Sequence, residues 1–199
     1  MDLLERALPG AGRLVRQAVD EVEVHALEPA RPRGADELAR AQDGGYLYRN
    51  FQGYTIRPAP DTVAFGMSSI SDIGGAYVQN FHKLKEWGDK LDANVIPVER
   101  GAAMSDDDVM RRFVINRVMC LLRLDLREVE EKFGKPARDV IEQDLRAGVK
   151  ELEGDGLVTF DGTLLRVTPL GQLLVRNVAM LFDAYLKKGA SRSQFSRTV

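Results

Sequence analysis

The second half of the chain carries the clearest alternation of apolar and polar positions. Val109, Phe113, Val114, Val118 and Leu121 recur at helical spacing. Ser105 followed by Asp106, Asp107 and Asp108 supplies an N-cap and acids for the first turn, where they complement free N–H groups and the positive end of the dipole. This spacing predicts a helix to about Leu124. A shorter helix is predicted over Leu126 to Phe133, stopped by Gly134 and Pro136, and a third from about Arg138 to Leu152, ending at Gly154. Leu157 to Phe160 and Leu164 to Val167 read as a hairpin across Asp161-Gly162. Thr168 caps a last helix, with Pro169 at its first position, predicted to run to about Lys187. Three helices, a hairpin and a closing helix make a winged-helix-like unit.

The first half is less regular. Residues 1 to about 27 carry a weak helical pattern (Leu3, Leu4, Leu8, then Leu14, Val15, Ala18, Val22), interrupted by Pro9 to Gly12. Glu28 to Ala35 reads as a linker, and a short helix over Asp36 to Gln42 runs into Gly44-Gly45. Tyr46 to Arg57 is aromatic-rich and extended, ending at Pro58-Ala59-Pro60. Thr62 to Ser71 is a second apolar and small-residue stretch that closes near Gly74-Gly75. Beyond it, Tyr77, Phe81, Leu84, Trp87 and Leu91 predict a helix over Ala76 to Leu91. Strand, loop, strand and helix in this order resemble the end of an α/β layer, but two extended segments cannot complete a sheet covered on both faces, so this half reads as unfinished on its own.

With 199 residues, 44% apolar and 29% charged, the chain has room for one compact soluble domain or two small ones. A net charge of −2 argues against a coat for nucleic acid or anionic membrane. A winged helix nevertheless invites a DNA-binding role for its third helix. Between Arg138 and Asp155, three basic side chains (Arg138, Arg146, Lys150) face six acidic ones (Asp139, Glu142, Asp144, Glu151, Glu153, Asp155). Such a face repels phosphate, and the wing offers only Arg166. A packing module is the better reading, and the basic tail from Lys187 reads as a solvated end. No stretch approaches the ~18 apolar residues of a membrane span, and the N-terminus lacks a signal-peptide layout; the expected compartment is cytoplasmic.

One cysteine, Cys120, and two histidines, His25 and His82, limit metal chemistry. A single thiol excludes an intrachain disulfide, a multi-cysteine zinc site and a self-sufficient iron–sulfur cluster. Cys120 lies between Met119 and Leu121 on an apolar helix and reads as a buried, inert thiol. His82, among Lys83 and Lys85, reads as a surface residue.

Arg49-Asn50-Phe51-Gln52-Gly53-Tyr54-Thr55 resembles a signature of oxygen-independent coproporphyrinogen III oxidase, a radical S-adenosylmethionine family of haem biosynthesis. Asp36 to Ala39 with Ala41-Gln42 precede it at family spacing. Gly66, Ser68, Ile70-Ser71, Ile73-Gly74, Tyr77 and Gln79-Asn80 follow, as do Arg100-Gly101, Asp107-Asp108, Arg111-Arg112, Val114-Ile115 and Cys120. Arg123 to Asp125, Arg176-Asn177, Phe182-Asp183 and Gln194 to Arg197 continue the likeness over about residues 36 to 199.

The resemblance implies an α+β chain, mostly α: a poorly matched segment over 1–35, the terminal strands and helix of a partial (β/α) barrel over 36–95, and a winged-helix-like helical domain with its hairpin over 96–199. It implies S-adenosylmethionine contacts for Phe51, Gln52 and Ile70, where apolar surface packs on adenine or ribose and an amide meets polar groups. Without the motif, Phe51 and Ile70 would read as plain core residues. Arg49, Arg111 and Arg112 are weaker candidates for substrate propionates, since guanidinium suits carboxylate; solvated or ion-paired arginines are the commoner case, and Asp106 to Asp108 are ready partners. In the family, a 4Fe-4S cluster on a cysteine triplet cleaves S-adenosylmethionine, and the radical drives oxidative decarboxylation of coproporphyrinogen III to protoporphyrinogen IX. Those cysteines have no match here. The expectation is therefore a fragment or subunit, inactive by itself, with a separate cysteine-bearing radical domain as partner. The alternative is a stand-alone winged-helix interaction or regulatory module without catalysis. Residues 46–75 are expected to expose apolar surface that the rest of a barrel would cover.

Overall fold

The computed structural model describes residues 36–59 and 61–187. The helical pattern over 1–27, the linker, His25 and the basic tail beyond 187 lie outside the described residues.

In chain order the elements begin with α1 (Glu37–Asp43) and the hairpin β1 (Tyr48–Asn50) and β2 (Gly53–Thr55). Next come β3 (Ile70–Ile73), β4 (Ala76–Asn80), α2 (Leu84–Asp92) and β5 (Val98–Ala103). Then follow α3 (Asp106–Leu121), β6 (Arg123–Asp125), α4 (Leu126–Phe133), α5 (Lys135–Gly154), β7 (Val158–Phe160) and β8 (Leu164–Val167). The chain closes with α6 (Pro169–Leu173), α7 (Val175–Ala179), a 3₁₀ turn (Met180–Phe182) and α8 (Ala184–Lys187). These elements form two units: 57–105, and 37–56 together with 106–187. The division expected at 95/96 is not how contacts group the chain, because α1 and β1 pack on α3.

In the unit over 57–105, β3, β4 and β5 form an antiparallel sheet in that order. Ile73 pairs with Ala76 across Gly74-Gly75, whose φ values of 56° and 79° are the left-handed geometry of a tight two-residue turn. Two expectations fail here. The helix predicted over Ala76 to Leu91 begins only at Leu84, and Ala76 to Asn80 is a strand. Tyr77, Phe81 and Leu84 match a helical period, but Ala76 and Val78 are the buried positions, and their alternation follows the pleat. The extended reading of Thr62 to Ser71 holds only at its end: Thr62 makes one bridge to Asp72, and the strand starts at Ile70. β5 was not anticipated, because Glu99, Arg100 and Gly101 give it no apolar face. Gly101 permits the pairing, since a Cβ there would stand 3.0 Å from Val78 Cγ1.

The other unit holds the main core. Val114, Val118 and Cys120 of α3, Leu124, Leu126, Val129, Ile141, Leu145, Leu165, Val178 and Phe182 are fully or almost fully buried there. α3, α4 and the hairpin appear where the pattern put them and α4 matches its expected limits, whereas α5 starts at Lys135 and takes Pro136, read as a stop, into its first turn, where a missing N–H costs nothing. Asp161 shapes the hairpin turn by accepting N–H bonds from Thr163 (3.0 Å) and Leu164 (2.9 Å). Leu124, expected in the helix, instead lies on β6: Leu122 turns the chain at φ 56° and its carbonyl accepts from Val167 N–H (2.8 Å). β6 thereby joins the hairpin in a sheet ordered β6-β8-β7. The segment Tyr46 to Arg57, read only as extended, is the β1–β2 hairpin.

Thr168 caps α6, its hydroxyl accepting from Gly171 N–H at 3.0 Å. The single last helix expected to Lys187 is broken at Leu174, which has left helical geometry (φ −119°, ψ 25°), and again at Asp183. Asp183 then caps α8, accepting from Tyr185 and Leu186 N–H. Gly171 fixes where α6 meets the hairpin, because a Cβ there would fall 1.9 Å from Leu157 O and 2.9 Å from Val167 Cγ1. Gly171→Ala is therefore expected to destabilise the chain by at least about 2 kcal/mol through overpacking, read as a lower urea midpoint.

Candidate functional site

Phe51 and Gln52 form the two-residue tip between β1 and β2, with Asn50 facing Gly53 across it. Asn50 Oδ1 accepts from the N–H of Gln52 (2.9 Å) and of Gly53 (3.1 Å), so one side chain shapes the turn. Gly53 at φ 139° completes it in a region that disfavours a side chain. The consequence is an aromatic ring 57% exposed and an exposed amide beside it, held by a rigid turn. Gln52 is the residue whose amide the resemblance sets against polar groups of the cofactor. Its side chain stands in solvent and makes no hydrogen bond among the described residues.

Ile70 belongs to the other unit, where it heads β3 opposite Gln79 and is half-buried. The exposed apolar surface expected over 46–75 is present in both units: Tyr46, Phe51 and Tyr54 in one, Phe65 and Met67 in the other.

The three arginines separate by environment. Arg49 is exposed on β1 and forms no ion pair among the described residues. Arg112, half-buried on α3, donates to Tyr48 Oη at 2.8 Å. Arg111 is committed to the fold: Nε donates to Asp107 (2.8 Å), and Nη1 to Asp144 (2.5 Å) and Phe182 O (3.0 Å). Burial acts to lower its pKa, but the bonds to Asp107 and Asp144 outweigh it and the net direction is upward. Of the three aspartates read as ready partners, Asp107 takes it; Asp144, on α5, was not anticipated.

Cys120 is fully buried; Gln42 Nε2 donates to its carbonyl at 3.0 Å, and its Sγ lies 3.5 Å from Asn116 Oδ1. Burial pushes the thiol from 9.0 to about 11, against a smaller opposite pull from Arg49 and Arg117. A neutral buried thiol does not fit a cluster ligand, which must be a thiolate. Among the described residues no three His, Cys, Asp or Glu side chains gather to hold a metal. His82 is exposed and bonds Glu99 at 2.9 Å; that bond holds the Glu99 carboxyl below its usual value. No described helix is long and apolar enough to cross a membrane.

Two outcomes are expected. Arg111→Ala removes the pairs to Asp107 and Asp144 and the bond to the Phe182 carbonyl, and should cost about 3 kcal/mol, as for breaking a largely buried pair, seen as a lowered urea midpoint. Cys120 should resist thiol reagents at pH 8 in the native chain and react promptly once unfolded. The raised folded pKa also fixes a sign: stability from the protonated thiol is complete below the unfolded value near 9.0 and declines as pH rises towards about 11.

Residues 104–174 match the family described as HemN C-terminal domain. The oxygen-independent coproporphyrinogen III oxidase of Synechocystis sp. is 43% identical over 168 residues, covering 82% of this chain and 36% of the relative. That of Salmonella typhimurium is 42% identical over 170 residues, covering 85% and 36%. The solved structure of coproporphyrinogen III oxidase (HemN) from Escherichia coli, described as a radical SAM enzyme, superposes with a TM-score of 0.72 at 42% identity, over 78% of this chain and 35% of that one. The chain spans about a third of the length of the curated relatives it matches. Matched in sequence and in fold, this chain is a relative of oxygen-independent coproporphyrinogen III oxidase over that family's C-terminal portion.

Proposed function

We propose that this chain supplies the C-terminal portion of a coproporphyrinogen III oxidase of haem biosynthesis and performs no radical chemistry by itself. The observation that carries the reading is identity above 40% sustained over four-fifths of the chain, with the fold matched as well. In the whole enzyme, S-adenosylmethionine and a 4Fe-4S cluster supply the radical that decarboxylates the propionates of coproporphyrinogen III. The residues here fit the first of these and not the second. The ring of Phe51 and the free amide of Gln52, presented by a locked turn, suit adenine or ribose and a polar edge. Cys120, buried and neutral, does not suit a cluster.

For substrate propionates, Arg49 is the strongest of the three arginines, because no described carboxylate competes for it. Arg112 is a second candidate through its Tyr48 contact. Arg111 serves by holding α3 in place. A separate segment bearing the cysteines is the partner this reading requires. Leu170, Leu173 and Leu174, exposed on α6 and at its end, are apolar surface for it to cover. Residues 36–95 are read as the closing end of a partial barrel, although the pairs β1–β2 and β3–β4 are antiparallel and so differ from the parallel ladder of a barrel wall. The succession α3-β6-α4-α5-β7-β8 supports a winged-helix-like module, and the six acidic against three basic residues over 138–155 favour packing over DNA.

Anaerobic reconstitution of the full chain with iron and sulfide should leave less than stoichiometric metal and yield no 5′-deoxyadenosine from S-adenosylmethionine under dithionite. Adding the separately produced cysteine-bearing N-terminal portion of the Escherichia coli relative should restore coproporphyrinogen III turnover. A stoichiometric cluster on the chain alone, or no turnover with the added portion, would overturn the reading.

A further inference from the structure

The loop over 64–69, which leads into Ile70, is held by more hydrogen bonds than a surface connection needs. Ser68 has a left-handed backbone at φ 57°, uncommon for a residue with a side chain. Both of its backbone groups are pinned to the end of β4. Its N–H donates to Phe81 O (2.9 Å), and its carbonyl accepts from Gln79 Nε2 (3.1 Å). Next to it, Asn80 Nδ2 donates to Gly66 O (2.9 Å) and to Ser69 Oγ (3.0 Å), while Ser69 Oγ donates to Gly66 O (2.7 Å). Ser71 Oγ accepts from Ala64 N–H at 3.0 Å. Gln79 is itself oriented, because its Oε1 accepts from Arg100 Nε (2.8 Å) and Nη2 (2.6 Å) across the β4–β5 pair.

This clamp keeps Phe65 62% exposed and Met67 48% exposed, although a loose loop would fold such side chains inward. Strain held by surrounding bonds, with apolar groups kept outward, is the signature of a preorganised binding element. Ile70 follows the clamped segment directly and sits opposite Gln79 in the sheet.

We propose that Gln79 and Asn80 are positioning residues that hold the 64–70 loop in its S-adenosylmethionine-binding conformation, Gln79 through Ser68 and Asn80 through Gly66 and Ser69. The proposal rests on the reading that Ile70 faces that cofactor. Neither side chain need touch it: each removes conformations in which the loop cannot bind, which raises apparent affinity by the fraction of competent molecules.

The test uses the full chain, isotopically labelled, titrated with S-adenosylmethionine and followed by the amide resonances of 64–70, alongside hydrogen exchange of the same amides. Gln79→Glu and Asn80→Asp are near-isosteric; each deletes the donor, and Gln79→Glu keeps the acceptor for Arg100, which protects the fold. Each variant should raise loop exchange and weaken binding by about five- to tenfold, the scale of one lost hydrogen bond. Lys85→Ala on α2 should leave both unchanged. Wild-type resonances that move with S-adenosylmethionine, and variants that bind equally well, would overturn the positioning role and leave the cofactor reading standing. A melting temperature lowered without any change in affinity would likewise reduce the clamp to a stabilising device. No response in the wild type would overturn the cofactor reading, and the positioning role with it.

Discussion

α3 can lie at the centre of its unit only because each of its arginines meets a different neighbour. Arg111 reaches Asp144 on α5 and the Phe182 carbonyl, Arg112 the Tyr48 hydroxyl on β1, and Arg117 stands 2.9 Å from Glu128 on α4. Arg117 and Lys132 also lie over the Phe113 ring, at 4.8 Å and 4.7 Å from its centre. Burying a guanidinium without such partners would cost more than the apolar face of the helix returns. The pairs therefore fix which elements surround α3, and the buried valines between them fill the space so defined.

That constraint explains why 37–56 packs with the C-terminal helices rather than with the residues that follow it in sequence. Gln42 bonds the Cys120 carbonyl and Tyr48 accepts from Arg112, so both α1 and β1 are tied to one helix. The Phe51-Gln52 tip thus projects from an anchored base. An exposed aromatic on such a base loses little further freedom when a ligand covers it, which favours contact over collapse.

How much was legible in the sequence depended on whether the signal was local. Asp161-Gly162, Thr168-Pro169 and the stop at Gly134 act through their own backbone, and they marked the hairpin, the α6 cap and the end of α4 at their places. Leu124 looked helical because its apolar period continues that of α3; only pairing with Leu165 on the distant β8 draws it into a strand. Val98 to Ala103 carries no period at all, and its strand exists because β4 offers an open edge. Asp183 was a readable cap, overlooked because the leucines and valines before it suggested one unbroken helix.

The candidate site divides along the same line. The heptapeptide from Arg49 to Thr55 carried the resemblance, but its pattern read only as extended and did not show that Asn50 builds a turn there by bonding two successive N–H groups. Periodicity could not separate the arginines, because adjacent positions on α3 look alike until α5 and the 3₁₀ turn arrive to claim Arg111. Gln79 and Asn80 were visible only as matched residues. Their action depends on β4 being a strand, whereas a helix over Ala76 to Leu91 would have pointed these neighbours away from any common loop. On a strand ending at a bulge, successive side chains can both reach back to the same segment: one bonds Ser68, the other Gly66 and Ser69. The error in secondary structure and the omission of the clamp are therefore one error, since the geometry that makes these amides useful is the geometry that the helical period concealed.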